Sequence, residues 1–229
     1  MAKEQYSFLK TLTALALVVL CLWAAQWQYH RGVDRHARNT LISDQSELPA
    51  VKFQDLAGDI AQYEWRKISL EGVFDDKNQI LLRNRYHDGV YGFEQLTLFA
   101  FGEQRIWVDR GWIKAGSDAT IPPQLQPTNE ALVTIDGRLR LDSSLPQGKF
   151  FAVSNDSARN LISQLDARKG VQTEEFYIDL ISSSDASMNP AVPVELPELS
   201  DGPHMAYALQ WVFFAALVIY GRRLIRKTA

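Results

Sequence analysis

Two long apolar runs enclose a polar middle. The first extends from about Phe8 to Tyr29, and Leu12 through Trp27 is broken only by Thr13 and Gln26. A membrane span needs roughly 20 predominantly apolar residues, so this run is long enough. A cleaved signal peptide is the competing reading, with Lys3 and Lys10 as its basic flank and Ala24-Ala25 as its small pair. Bulky Trp23 and Trp27 flank that pair, however, which suits a cleavage site poorly. The second run, Met205 to Tyr220, is closed by Arg222, Arg223, Arg226 and Lys227. It covers only ~24 Å as a helix, and snorkelling arginines with interfacial Tyr207, Trp211 and Tyr220 extend its reach. The pattern predicts membrane helices over 8–29 and 204–221 and a basic tail over 222–229. Such a tail stays cytoplasmic. Two spans return the N-terminus to the same side, so residues 30–203 are expected as a periplasmic domain anchored in the inner (plasma) membrane, or on the equivalent intermembrane-space side in a mitochondrion.

Within 30–203 the apolar positions follow a mostly period-two pattern with punctuating turns, the mark of half-buried strands. Arg66–Phe74, Gln79–Arg85, Tyr91–Phe101, Arg105–Ile113, Ala131–Leu141 and Glu175–Ile181 read as strands. Asp88-Gly89 is a hairpin signal between the second and third. Helical signals are few: Lys52–Tyr63, and Ser157–Lys169 with Ser154, Asn155 and Asp156 as capping candidates and Gly170 as the stop. Pro-rich connections cover Ile121–Pro127 and Ser182–Pro203, the latter semi-extended. The expected fold is therefore an α+β membrane protein. Two transmembrane helices flank a mostly antiparallel β domain, barrel-like or a sandwich, with one or two short helices.

The formal net charge is −3, with no basic excess to meet nucleic acid. Cys21 is the single cysteine and lies in the first apolar run, so the middle domain has no thiol for a disulfide, a zinc site or redox exchange. The motifs G-x-S-x-G, H-E-x-x-H, C-x-x-C and a phosphate-binding glycine loop are all missing. Ser182-Ser183-Ser184 reads as linker and Asp75-Asp76 as turn. Nothing in the sequence favours an enzyme.

The strand around Ile106-Trp107-Val108-Asp109-Arg110-Gly111-Trp112 carries a guanidinium among apolar neighbours. Alternation puts Ile106, Val108, Arg110 and Trp112 on one face. A buried charge there requires compensation. Either a structural salt bridge or an anion site, for example for a carboxylate-bearing ligand, satisfies it.

Of four histidines, His30 closes the first apolar run and His204 opens the second; His36 and His87 read as exposed or loop residues. Antiparallel helices set His30 and His204 at the same membrane level. Trp23, Trp27 and His30 follow i, i+4, i+7 spacing, and His204, Tyr207 and Trp211 follow i, i+3, i+7. Imidazole is a common haem ligand, an aromatic slot suits a macrocycle, and Arg31, Arg35 and Arg38 sit where propionates would project. Aromatic belts and terminal histidines also occur at membrane interfaces with no ligand at all.

Trp27-Gln28-Tyr29-His30-Arg31, Val108-Asp109-Arg110-Gly111-Trp112-Ile113 and His204-Met205-Ala206-Tyr207-Ala208-Leu209-Gln210-Trp211 together resemble the Surfeit locus protein 1 family. Trp65–Phe74 and Ile135–Arg140 also look like strands of that family, and the resemblance runs from the first helix to the last. It implies a role in assembling cytochrome c oxidase, a haem–copper terminal oxidase. Haem A would be bound transiently and handled on its way to the catalytic subunit, which with the haem A biosynthesis enzymes makes up the implied partners. The family's haem-ligating histidine maps onto His204. Family members often carry asparagines just before it, where this chain has Asp201-Gly202-Pro203. A scaffold that binds oxidase subunits without touching haem is the alternative, and a haem-modifying enzyme a third.

Overall fold

The computed structural model describes residues 6–116, 121, 123–145 and 161–228. The elements in order are α1 (Ser7–Glu47), β1 (Val51–Lys52), β2 (Lys67–His87), β3 (Val90–Phe101), β4 (Gln104–Lys114), β5 (Val133–Leu141), α2 (Leu161–Lys169), β6 (Phe176–Ser183) and α3 (His204–Thr228). They divide into two compact units, one formed by Met1–Ser43 with Glu198–Ala229 and the other by Asp44–Pro197.

In the first unit α1 and α3 are both long and apolar enough to cross a membrane. Helix α1 has 41 residues, about 60 Å at 1.5 Å per residue, and so continues far past the apolar run. Residues 31–47 contain no proline, and the helix stops just before Leu48-Pro49, where a following proline disfavours helical backbone. Residues 30–47, read with the β-rich segment from the sequence, are therefore helical. Positions Ala14, Val18, Cys21, Ala25, Gln28 and Gly32 of α1 are buried or half-buried, as are His204, Ala208, Trp211, Ala215 and Val218 of α3. Both series step by four and three, the 3.5-residue period of a coiled-coil seam. Small residues dominate the seam, as they must where helices pack by close approach rather than by expelling water. Far from His204, Arg222 donates to Thr11 Oγ1 at 2.8 Å and to Ser7 Oγ at 3.0 Å, which fixes the register of the pair.

In the second unit the strand order is β1-β2-β3-β4-β6-β5, and β5 pairs back onto β2. Five strands thus close into a barrel, which removes the free edges that an open sheet would leave. Pairing is antiparallel except for β1–β2 and β4–β6. The parallel β4–β6 contact arises because β6 inserts between β4 and β5, an order that alternation along single strands does not reveal. The two strands read over 66–74 and 79–85 are one long strand, β2, with register shifts after Asp75 and Leu82. At the first shift Asp75 accepts hydrogen bonds from Lys77 N at 3.0 Å and Asn78 Nδ2 at 2.8 Å, closing a local bulge. Asp88 and Gly89 both have positive φ, 49° and 75°, the backbone of a two-residue type I′ hairpin turn. The helix expected over 52–63 is instead β1 and two 3-10 turns, Phe53–Asp55 and Ile60–Tyr63, separated by Gly58 at φ 83°. Capping candidates Ser154, Asn155 and Asp156 lie outside the described residues.

Two apolar clusters use the two faces of the same strands. Ile68, Leu70, Phe74, Phe99, Ile106, Val108, Ile135, Leu139 and Ile178 fill the barrel. Leu82, Leu96, Leu98, Trp107 and Tyr177 face the other way and pack with Leu161, Ile162 and Leu165 of α2. Each fully buried Leu or Ile contributes roughly 1.5–3 kcal/mol. Such side chains, in place of disulfides, hold the domain.

Candidate functional site

His204 begins α3, whose first turn is closed by Tyr207 N donating to Pro203 O at 3.0 Å. Its imidazole is half-buried on the α1–α3 seam, where Nδ1 lies 2.9 Å from Oε1 of Gln28. An amide oxygen only accepts, so this contact is a hydrogen bond in the tautomer that carries its proton on Nδ1. Among the described residues Nε2 has no hydrogen-bond partner. Gly32 completes this corner: a Cβ there would lie 3.3 Å from both His204 Cβ and Met205 Cε. Only glycine admits the start of α3 this close to α1 without displacement. Asp201 ties the preceding segment to α1, accepting from His36 Nδ1 at 2.7 Å and Asn39 Nδ2 at 2.9 Å. Those hydrogen bonds hold the Asp201 carboxyl below its usual range.

The aromatic residues are distributed differently from the two inward stripes that spacing suggested. Trp211 shares the seam with His204, its ring 5.7 Å from Phe214, whereas Tyr207 is exposed. Trp23 and Trp27 are 64% and 47% exposed, so they face outward from the pair. Arg31 stacks over the Trp27 ring at 5.2 Å. His30 is exposed, its ring edge-on to Tyr29 at 5.9 Å. Two residues along a helix is a rotation of about 200°, so His30 sits on nearly the opposite side of α1 from Gln28. The residue brought to His204 is Gln28. Its signal was a polar side chain recurring at seam spacing among small residues.

In the barrel, Arg110, Gly111 and Trp112 act as a clasp for two connecting segments. Arg110 is fully buried and makes no ion pair among the described residues. Its guanidinium donates to the carbonyls of Gln126 at 3.1 Å and Pro127 at 2.8 Å, reaches Met188 O at 3.4 Å, and lies 5.1 Å over the Phe74 ring. Carbonyl dipoles thus replace the carboxylate that a salt bridge would supply, and burial lowers the Arg110 pKa to about 10. Gly111 has φ 87°, and a Cβ there would collide with the carbonyl oxygen of Val192. That same oxygen accepts from Trp112 N at 2.8 Å. The Pro-rich segment therefore packs on β4 where the sequence suggested a plain linker.

A bulge also resets the faces of β4. Asp109 pairs with Leu96 and Trp112 with Glu94, so Arg110 and Gly111 together oppose Gln95. Cross-strand partners share a face, so Trp112 joins Asp109 and Glu94, whereas strict alternation had put it with Arg110.

On that face three carboxyl groups converge. Asp109 is buried beside Glu94 and Asp179, and burial first, then their charges, push its carboxyl well up. A side-chain hydrogen bond with Asp109 in turn lowers the Glu94 carboxyl. Glu94 is bound by Arg85 at 2.6 Å, and Asp179 by Arg140 at 2.8 Å. Arg140 in turn stacks 3.6 Å over Trp65. Burial also raises the Glu94 and Asp179 carboxyls, and the charges of Arg85 on the first and of Arg140 and Arg138 on the second pull them back down. This network had no readable sequence signal, because its members come from β2, β3, β4, β5 and β6.

Two membrane-competent helices joined at a small-residue seam, with an imidazole at its edge and a closed β-barrel between them in the chain, define a two-helix membrane protein. The SURF1 family model matches residues 15–216, and the chain belongs to that family, the cytochrome oxidase assembly factors known as Surfeit locus protein 1. It is similar to an uncharacterized SURF1-like protein of Mycobacterium bovis, 29% identical over 223 residues that cover 91% of this chain and 80% of the relative. Uncharacterized SURF1-like proteins of two Mycobacterium tuberculosis strains match it to the same extent.

Proposed function

We propose that the protein is an assembly factor, not an enzyme, that binds haem A at the edge of its helix pair and aids delivery to the oxidase catalytic subunit. The observation that carries this reading is His204: a half-buried imidazole at the start of a membrane helix, with Nδ1 against Gln28 Oε1 and Nε2 without a hydrogen-bond partner among the described residues. That donor set fits a haem iron. Trp211 on the seam and exposed Tyr207 would offer apolar and aromatic surface to the ring. The Arg31 guanidinium, stacked on Trp27, would meet propionates by charge-assisted hydrogen bonds. Exposed His30 supports no second ligand to the same iron. One protein ligand on an open surface suits a cargo that must leave again, and the haem would supply the redox chemistry only after transfer to the oxidase. The basic tail after α3 favours cytoplasmic termini and a periplasmic barrel.

The test is the optical spectrum of the detergent-purified protein from cells that make haem A, beside His204→Ala. A Soret band in the parent that falls in the variant supports haem handling. Absence of haem from both, with both proteins monodisperse, supports a scaffold that contacts oxidase subunits through the barrel alone.

A further inference from the structure

Resting on the haem-binding reading of His204, we infer that Gln28 of α1 is the positioning residue that prepares His204 as a ligand. A ring nitrogen can coordinate iron only if it is unprotonated, and a free neutral imidazole distributes its proton between both nitrogens. The Gln28 carbonyl at 2.9 Å accepts from Nδ1 and thereby directs the lone pair to Nε2. Ligating histidines are commonly held this way, with the second ring N–H donated to a carboxylate or carbonyl that fixes tautomer and ring orientation. Here the acceptor comes from the other helix, so the ligand is prepared only when α1 and α3 are packed. Gln28 and Gly32 are i, i+4 on α1 and act at the same point: one holds the ring and the other leaves room for its backbone. Haem competence is thereby coupled to the helix seam. A loosened seam frees the imidazole to rotate and exchange tautomers, which is a route to release.

The measurement is made first on the haem-free, full-length protein in detergent. Imidazole nitrogens labelled with nitrogen-15 report the His204 tautomer through two-bond correlations to ring protons. His204 is expected as the Nδ1–H form, with Gln28→Leu moving it toward a mixture and Gln28→Glu, which keeps an acceptor, restoring it. Titration with haem A should then weaken roughly 10- to 100-fold in Gln28→Leu and recover in Gln28→Glu. A parent protein already in the Nε2–H form, or a Gln28→Leu variant with unchanged tautomer and unchanged haem titration, overturns the inference. If Gln28→Leu does not fold, the parent tautomer still decides. Parental haem binding in His204→Ala would overturn the haem reading itself, whereas loss in His204→Ala without loss in Gln28→Leu overturns only the role of Gln28.

Discussion

Replacing Gly111 by alanine separates two reasons for a glycine at that position. The first is conformational: φ is 87°, and a side chain in this region costs roughly 1–2 kcal/mol. The second is contact with the Pro-rich segment, because the added Cβ meets the Val192 carbonyl oxygen, with Pro190 Cβ 3.2 Å away. Gly102 is the control, since it has φ 57° and nothing within 4 Å of its added Cβ. Gly102→Ala therefore carries only the conformational cost. Gly111→Ala adds the strain of forcing backbone aside, about 1–3 kcal/mol, and the weakened Trp112–Val192 hydrogen bond, about 0.5–1.5 kcal/mol. The expected difference is about 3 kcal/mol, on the order of a hundredfold in the folding equilibrium. Urea unfolding of the full-length proteins in detergent, followed by near-ultraviolet circular dichroism, measures it. Equal losses in the two variants would refute the close-approach argument and leave Gly111 as an ordinary left-handed position.

Three further outcomes follow from the barrel and from the chain's orientation. Asp109→Asn preserves the acceptor for Gly111 N and a donor to Glu94, so the variant should fold normally. The folded-state pKa of Asp109 is raised, so the native protein binds more protons than the unfolded chain above about pH 4, and its stability falls as pH rises through the native value, by at most about 1.4 kcal/mol per unit. Thermal unfolding across pH should show a shallower decline in Asp109→Asn, and parallel curves would contradict a protonated Asp109. Arg110→Lys should lose roughly 2–4 kcal/mol, because one ammonium cannot serve the Gln126, Pro127 and Met188 carbonyls together; parental melting of that variant would count against the clasp. Glu103→Cys, in the exposed β3–β4 turn, should react with a membrane-impermeant maleimide in intact spheroplasts, while the parent, whose Cys21 is buried, does not. Labelling only after lysis would place the barrel in the cytoplasm.

The chain's amino-acid order alone determined the two apolar helices, the strand positions and the Asp88-Gly89 hairpin. These are encoded locally, in the length of an apolar run, the period of its alternation and the backbone freedom of single residues. It also carried the family motifs, whose spacing survives without knowledge of the fold. What sits opposite what was decided by the tertiary structure. Closure of β5 onto β2 and the insertion of β6 between β4 and β5 depend on non-local pairing that no single strand records. One bulge moved Trp112 to the face of Glu94, because a single extra residue inverts every later side chain in a period-two element. Arg110 invited a carboxylate partner, yet folding brought three carbonyls instead, whose oriented dipoles offset part of the cost of burying its charge. His204 was legible as a ligand, but its partner was not. Equal depth in the membrane suggested His30, whereas the rotation of the α1 seam, a property of the packed pair, presents Gln28.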